Sequence, residues 1–265
     1  MVKLDDLIGI LLEASAAVRH VYEGKGKASD ISIKADSSYL TEADLRANCI
    51  LHAGLRALLP AAGWLSEESR DDRSRLDAEW VWIVDPLDGT KEFVRKVPEF
   101  AVSIGLVRNG QAVAGAIVNP VNGYGGAGIV DGEVRFWGGI ENNTAAPAMS
   151  LEKATASISR SEYEDGSVLS VMDLVGTTYP VGSVAYKLLR VAAGRENMTF
   201  SVQPKSEWDI CGGVGLLKAA GKVYERFDRI PLAFNSADTR IRSGAVAGEA
   251  GLAGKFIEAM KNRIG

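Results

Sequence analysis

The chain has 265 residues, a formal net charge of −4, 46% apolar residues and 24% charged residues. That size buries a substantial core and suits one large domain or two closely packed halves. Lysine and arginine are scattered, which argues against a groove for a nucleic-acid polymer. Two cysteines, Cys49 and Cys211, and two histidines, His20 and His52, form neither a disulfide framework nor a zinc pattern. This fits a reducing, cytoplasmic setting. Any metal would be held by oxygen, which favours magnesium, calcium or manganese. Met1-Val2-Lys3 meets Asp5 and Asp6 at once, so no signal peptide is expected, and no apolar run is long enough to span a membrane.

Residues 4–21 carry Leu4, Leu7, Ile8, Leu11, Leu12, Ser15 and Val18 at helical spacing, closed by Gly24 and Gly26. Residues 24–40 are polar, with a short hairpin expected around Ile31 and Ile33. Thr41 opens a second helix with Leu45, Ile50, Leu51, Leu55 and Leu58 as its apolar face, ended by Pro60 and Gly63. Trp64 to Ser66 is a short strand that runs into Glu67-Glu68, and residues 71–79 form a surface helix or turn. Trp80 to Val84 is continuously apolar, as a strand covered on both faces should be. Asn109-Gly110 between Phe100–Val107 and Ala112–Val118 predicts a hairpin, and the turns at Asn122-Gly123 and Asp131-Gly132 extend it to a meander over 100–137.

Residues 138–153 lack periodicity and mark a boundary between an N-terminal half, 1–140, and a C-terminal half, 150–265. Beyond it we expect a strand at 154–159, a helix over 161–174 and a strand or loop leading to Gly182-Ser183. A helix over 184–193, one from Asp209 to Ala220, a strand at Val223–Tyr224 and a last helix near 252–262 complete the chain. The first half reads as helices with an antiparallel sheet and the second as layered α/β.

The chemistry concentrates in "WIVDPLDGTKEF", residues 82–93. Pro86 has no N–H, so the strand ladder is expected to stop there, and Gly89 permits a tight turn. Asp85, Asp88 and the Leu87 carbonyl can then face one space. Two close carboxylates repel unless a cation sits between them, and such oxygen ligands suit magnesium. Thr90 adds a hydroxyl. The same residues also serve a plain strand-to-turn transition. Asp44, three residues after Thr41, fits a helix capping box. Asp209 fits the cap of its helix. Glu67-Glu68 fits a solvated acidic turn.

Four such acidic segments, all at element ends, resemble the magnesium-dependent, lithium-sensitive phosphatases of the inositol monophosphatase superfamily. The resemblance rests on "KADSSYLTEAD" (34–44), "LSEES" (65–69), "WIVDPLDGTKEF", "GSVAYK" (182–187) and "EWDICGG" (207–213), with a weaker echo in "PLAFN" (231–235). It implies an α/β fold layered as an αβαβα sandwich and hydrolysis of a small-molecule phosphate ester by metal-activated water. Glu67, Asp85 and the Leu87 carbonyl would hold one magnesium ion. Asp85, Asp88 and Asp209 would hold a second, and a third ion would remain within the family's range. Asp44, Glu67 and Thr90 would be the catalytic groups that position or activate the water. Asp88, Gly89, Thr90, Gly182, Ser183, Lys187 and Asp209 would contact substrate, although Ser183 equally fits a plain helix cap. Manganese would substitute, calcium and lithium would inhibit, and a homodimer is expected by analogy.

"DPLDGTKEF" and "LSEES" resemble the CysQ branch, whose members act on 3′(2′),5′-bisphosphate nucleotides, more than the inositol phosphatases. The latter tend to carry a glutamate seven residues before the Trp-Asp aspartate, where this chain has Val202. Lys205 stands near the place where a nucleotide-type member would carry an arginine, and Ser38-Tyr39-Leu40-Thr41 departs from the branch's Ser-Pro-Val-Thr. Inositol or sugar phosphates remain the alternative substrates, and a metal-binding regulatory protein without catalysis is the alternative of another class. Cys211 reads as a small packing residue.

Overall fold

The computed structural model describes residues 2–25, 32–33, 39–142 and 144–264. Helix α1 (Leu4–Tyr22) is followed by a two-residue antiparallel pair, β1 (Ser32–Ile33) with β2 (Tyr39–Leu40), and by α2 (Glu42–Leu58). Gly26, Ile31, Lys34, Asp36 and Ser38, all named in the sequence reading, lie outside the described residues. The two helices bury Leu4, Leu7, Leu11, Ala14 and Val18 against Ala43, Ala47, Leu51 and Leu55. Leu12 and Leu45, expected on the apolar faces, are 44% and 48% exposed. The buried stripe is narrower than the run of leucines because each helix meets the core along one arc only.

The first sheet has the spatial order β3 (Gly63–Ser66), β4 (Trp80–Asp88), β5 (Ala101–Arg108), β6 (Gln111–Val118), β7 (Gly125–Ile129), β8 (Val134–Trp137). Only β3–β4 is parallel, and β4 to β8 are linked by antiparallel pairings. The continuous apolar run of β4 has the expected cause. Trp82 and Val84 face α1 and α2, while Val81 and Ile83 face the layer on the other side. The ladder does not end at Pro86. It is interrupted between Asp85 and Asp88, which pair with Ser103 and Ala101 of β5. The proline makes an irregularity within the strand, and β4 then runs into α3 (Thr90–Val94). The 71–79 segment contains one short 3₁₀ turn, and its Arg75 is buried, not on the surface.

The second sheet is built from β9 (Thr155–Ser159), β10 (Thr177–Val181), β11 (Met198–Ser201), β13 (Val223–Arg226) and β15 (Ala245–Gly248), in the order β10-β9-β11-β15-β13. A separate two-residue pair joins β12 (Lys205–Ser206) to β14 (Arg240–Ile241). The helix expected over 161–174 is two short ones, α4 (Arg160–Glu164) and α5 (Leu169–Met172), separated by Gly166 at φ +83°. Helices α6 (Val184–Ala192) and α7 (Glu207–Ala219) lie between the sheets, and α8 (Ala250–Ile264) covers the outer face of the second. The layers therefore run α1/α2, first sheet, α6/α7, second sheet, α8. Although α6 and α7 come late in the chain, they share one core with Leu65, Val81, Ile83 and Ala101 of the first sheet.

Helix α7 approaches the first sheet unusually closely because its inner face is glycine. A Cβ on Gly215 would stand 2.3 Å from the Ala114 carbonyl oxygen, and one on Gly115 of β6 would stand 1.9 Å from the Gly212 carbonyl oxygen. Glycines inside a helix cost about 1 kcal/mol each relative to alanine, so their presence here reflects the contact. Gly215→Ala is expected to lose about 2 kcal/mol of stability by overpacking, although the same change in an open helix would be stabilising. Urea denaturation checks the sign.

Candidate active site

Each acidic segment is delivered to one cleft by a different local device. In α2, Thr41 and Asp44 form a complete capping box. The Thr41 hydroxyl accepts from the Ala43 N–H at 3.2 Å, and Asp44 Oδ2 accepts from the Thr41 N–H at 2.7 Å. The other oxygen, Oδ1, lies 3.3 Å from the Thr90 hydroxyl. Capping and a place at the site are thus both true of Asp44, because a carboxylate has two oxygens. The Thr90 hydroxyl also lies 3.0 Å from the Leu87 carbonyl oxygen, which accepts from it.

At the end of β4, the Asp85 carboxylate accepts from the Leu87 N–H at 3.0 Å, closing the turn around Pro86. Gly89 at φ +95° starts α3 in the left-handed region that favours glycine. Asp88 Oδ2 accepts from the Ser183 hydroxyl at 2.6 Å and the Ala185 N–H at 2.5 Å, at the start of α6. In α7 the expected start shifts by a few residues. Ser206 is the cap and Asp209 occupies the third helical position, where its Oδ2 accepts from the Ser206 N–H at 2.7 Å. Glu67 follows directly on β3, whose Ser66 pairs with Val84.

Glu67, Asp85, Leu87, Asp88, Gly89, Thr90 and Asp209 line one cleft of ≈ 320 Å³, together with Tyr39 and Lys91. Asp44 is buried behind it, reaching Thr90. Tyr39 and Lys91 entered the sequence reading only within the Ser38–Thr41 departure and the "DPLDGTKEF" segment, and not as site residues. Burial, reinforced by Glu67, Asp88 and Asp209, holds the Asp85 carboxyl well above the usual carboxylate range. Burial also raises Asp88, against the pull of its bonds to Ser183 and Ala185. Asp209 is pushed up to about 7 by burial and by Asp88. Asp44 is pushed up to about 6 by burial, with Glu67 adding and the Thr41 bonds opposing.

Among the described residues, no three His, Cys, Asp or Glu side chains are placed so that, as they stand, they could hold a metal ion. The four carboxylates line an open cleft, with Asp85, Asp88 and Asp209 each binding a protein N–H or hydroxyl through one oxygen. The donor chemistry fits a hard divalent cation: carboxylate and carbonyl oxygens, desolvated and mutually repelling.

Other expected substrate contacts sit differently. Gly182 donates its N–H to Glu99 at 2.7 Å, and the Ser183 hydroxyl is held by Asp88 while accepting from the Tyr186 N–H at 3.0 Å. Ser183 is therefore a helix cap, and a strained one at φ +58°. The Lys187 ammonium is buried and donates to the Ser183 and Val181 carbonyls at 2.8 and 3.3 Å. It braces the Gly182–Ser183 turn from behind and does not line the cleft. Burial brings it down to about 8. Lys205, considered as a stand-in for arginine, is ion-paired with Glu162 at 3.0 Å. The "PLAFN" echo is anchored by buried Glu207, which accepts from the Asn235 and Ser236 N–H groups at 2.7 and 2.8 Å, and by Arg75, which donates to Asn235 Oδ1 at 2.7 Å. Cys211 is fully buried and packed against Gly105.

Residues 4–263 match the family model described as the inositol monophosphatase family. The chain belongs to the inositol monophosphatase family. It is a phosphatase, a hydrolase of phosphate monoesters, in a family that is generally metal-dependent. It is 30% identical over 253 residues to the 3′(2′),5′-bisphosphate nucleotidase CysQ of Escherichia coli (strain K12), covering 91% of this chain and 97% of that protein. It is 33% identical over 234 residues to the inositol-1-monophosphatase of Mesorhizobium japonicum, covering 84% and 86%. Among solved structures it is similar to CysQ of Bacteroides thetaiotaomicron, with a TM-score of 0.74 and 28% identity over 93% of this chain and 96% of that one. The Thermotoga maritima IMPase shares the fold, with a TM-score of 0.80 at 20% identity over 98% and 97%. Among the described residues, no helix is long and apolar enough to cross a membrane.

The raised carboxylates set a pH dependence. Between the ordinary carboxylate range and about 7, the folded chain holds protons on Asp44 and Asp209 that the unfolded chain releases. Stability without divalent cations should therefore fall as pH rises from about 4 through 7. Urea melts in chelator across that range check the slope, and Asp209→Asn should flatten it. Magnesium should restore the lost stability at pH 7.5.

Proposed function

We propose that the chain is a magnesium-dependent phosphomonoesterase that acts on a 3′(2′),5′-bisphosphate nucleotide, releasing phosphate from adenosine 3′,5′-bisphosphate to leave AMP. The observation that carries the reading is the convergence of Glu67, Asp85, Asp88 and Asp209 with the Leu87 carbonyl on one cleft. Glu67, Asp85 and the Leu87 carbonyl would hold one ion, and Asp85, Asp88 and Asp209 another. When bound, magnesium would supply positive charge to the phosphoryl and leaving-group oxygens and acidify a water.

The chain's own groups do the rest. The Thr90 hydroxyl stands between the Leu87 carbonyl and Asp44. It can take a proton from the attacking water and pass its own to the Asp44 carboxylate. An acceptor at about 6 suits that task near neutral pH. Lys91 lies on the cleft wall, where an ammonium favours a phosphate ester. The Gly182–Ser183 turn contributes by fixing Asp88, since its hydroxyl is already committed to that carboxylate.

Support for a nucleotide over an inositol comes from Val202, which offers no carboxylate to a sugar hydroxyl. Its N–H is bound to Glu162 at 2.9 Å. The similarity to CysQ over 97% of that protein points the same way. The inositol-1-monophosphatase relative supports the second reading, inositol 1-phosphate.

Phosphate release in magnesium, compared on adenosine 3′,5′-bisphosphate and inositol 1-phosphate, decides between them. A higher kcat/KM on the nucleotide is expected, and a preference for inositol 1-phosphate overturns the substrate assignment. Asp85→Asn should abolish turnover in a folded protein, and full activity in that variant would remove the metal-site reading. Thr90→Val should lower kcat about a hundredfold, the scale of a lost proton-transfer group.

A further inference from the structure

Helix α4 is five residues long, yet its charged side chains reach three segments around the cleft. Glu164 pairs with Lys91 of α3 and with Arg95, which follows that helix, at 3.2 and 3.3 Å. Arg160 pairs at 2.6 Å with Glu99, whose same oxygen accepts from the Gly182 N–H beside the Ser183–Asp88 contact. Glu162 points into the segment that leads to Asp209. Its side chain is 2% exposed. Oε1 accepts from the Ser201 hydroxyl and from the Lys205 ammonium at 3.0 Å, and Oε2 accepts from the Val202 N–H at 2.9 Å.

The three contacts differ in weight. The Glu164 pairs are about half exposed and worth little. The Glu162 bonds are charge-assisted and desolvated, and losing the carboxylate would leave the Lys205 ammonium, which is 13% exposed, on the Gln203 carbonyl at 3.3 Å without its paired charge. Nothing in the chemistry of phosphate hydrolysis uses Glu162. It does not line the cleft, and the hydrogen-bond partners of its carboxylate lie within residues 201–205. One residue further, Ser206 caps α7 and donates its N–H to Asp209. The chain of contacts is short and continuous: Glu162, Lys205, Ser206, Asp209.

We propose that Glu162 is a positioning residue for the cation site. By gathering Ser201, Val202 and Lys205 on one buried carboxylate, it fixes the segment that delivers Asp209 to the cleft opposite Asp85 and Asp88. The proposal rests on the reading of Asp88 and Asp209 as cation ligands. Position 202 supplies no side-chain ligand in this chain, yet its backbone is held by an acid from a different element, and that acid's effect is on where Asp209 sits.

The test is calorimetric titration of magnesium alone into the intact chain, its Glu162→Gln variant and, as a reference, Asp209→Asn. Glutamine keeps the size of the side chain but faces Lys205 with no charge. Glu162→Gln is expected to raise the magnesium Kd about tenfold with the stoichiometry retained, the usual scale for a residue that orients a ligand from outside the coordination shell. A role in folding alone would lower the stoichiometry and leave Kd unchanged, which overturns the proposal. An unchanged Kd in Glu162→Gln while Asp209→Asn loses binding overturns it too, with the metal-site reading intact. If the unaltered chain takes up no magnesium, the metal-site reading itself fails and the proposal with it. Should Glu162→Gln not fold, Ser201→Ala decides: it removes one donor, and a Kd raised about threefold, one modest hydrogen bond, is expected, whereas an unchanged Kd overturns the proposal.

Discussion

Buried like charge is the constraint on which the site depends. Four carboxylates from three regions of the chain line one cleft, and three of them are shifted upward by burial, Asp85 and Asp209 by neighbouring carboxylates as well. Such a cluster is unstable by itself, since desolvation and repulsion both disfavour the ionised forms. It persists because three of the acids are held by protein donors. Asp85 is held by its own turn, Asp88 by the start of α6, and Asp209 by the cap of α7. What remains unfavourable is what a divalent cation would relieve, so the cost of assembling the acids is also the source of metal affinity.

The fold supplies the holding. Strand β4 is covered on both faces and cannot shift, so its broken ladder at Pro86 aims Asp85 and Asp88 at a fixed place. Helix α7 comes close to the first sheet because its glycines leave no side chain between backbones. That approach brings Asp209 from a late part of the chain to acids presented by the first sheet. The layers on either side are ordinary hydrophobic packing, and their role is to make this approach repeatable.

Positive charge is used around the cleft in two ways. Lys187 is spent on backbone carbonyls beneath the Gly182–Ser183 turn, where burial lowers its proton affinity. Lys205 is paired with Glu162 and kept off the cleft wall. Neither lies between the carboxylates, so the cleft keeps its negative character for a cation and presents Lys91 at its edge for an anionic ester.

Much of this was legible in sequence. The apolar run from Trp80, the Asn109-Gly110 turn and the Asp-Pro-Leu-Asp-Gly-Thr segment specify local geometry strongly, because proline, glycine and continuous burial leave few alternatives. Strands β11 and β15 were not legible. "MTFS" and "AVAG" carry neither alternation nor a long apolar run, and they become strands through their partners in the second sheet. The helix over 161–174 breaks at Gly166, which periodicity alone does not weigh. The residue types of the candidate ligands were determined by sequence alone, since oxygen donors at element ends bring the same chemistry in any fold. Tertiary structure alone decided which side chains face the cleft. It turned Lys187 inward, committed Ser183 to Asp88 and set Glu162 beneath the segment before Asp209. Lys187 turns onto carbonyls four and six residues before it, but the other two choices depend on contacts between residues 39 to 97 positions apart, and no local pattern encodes them.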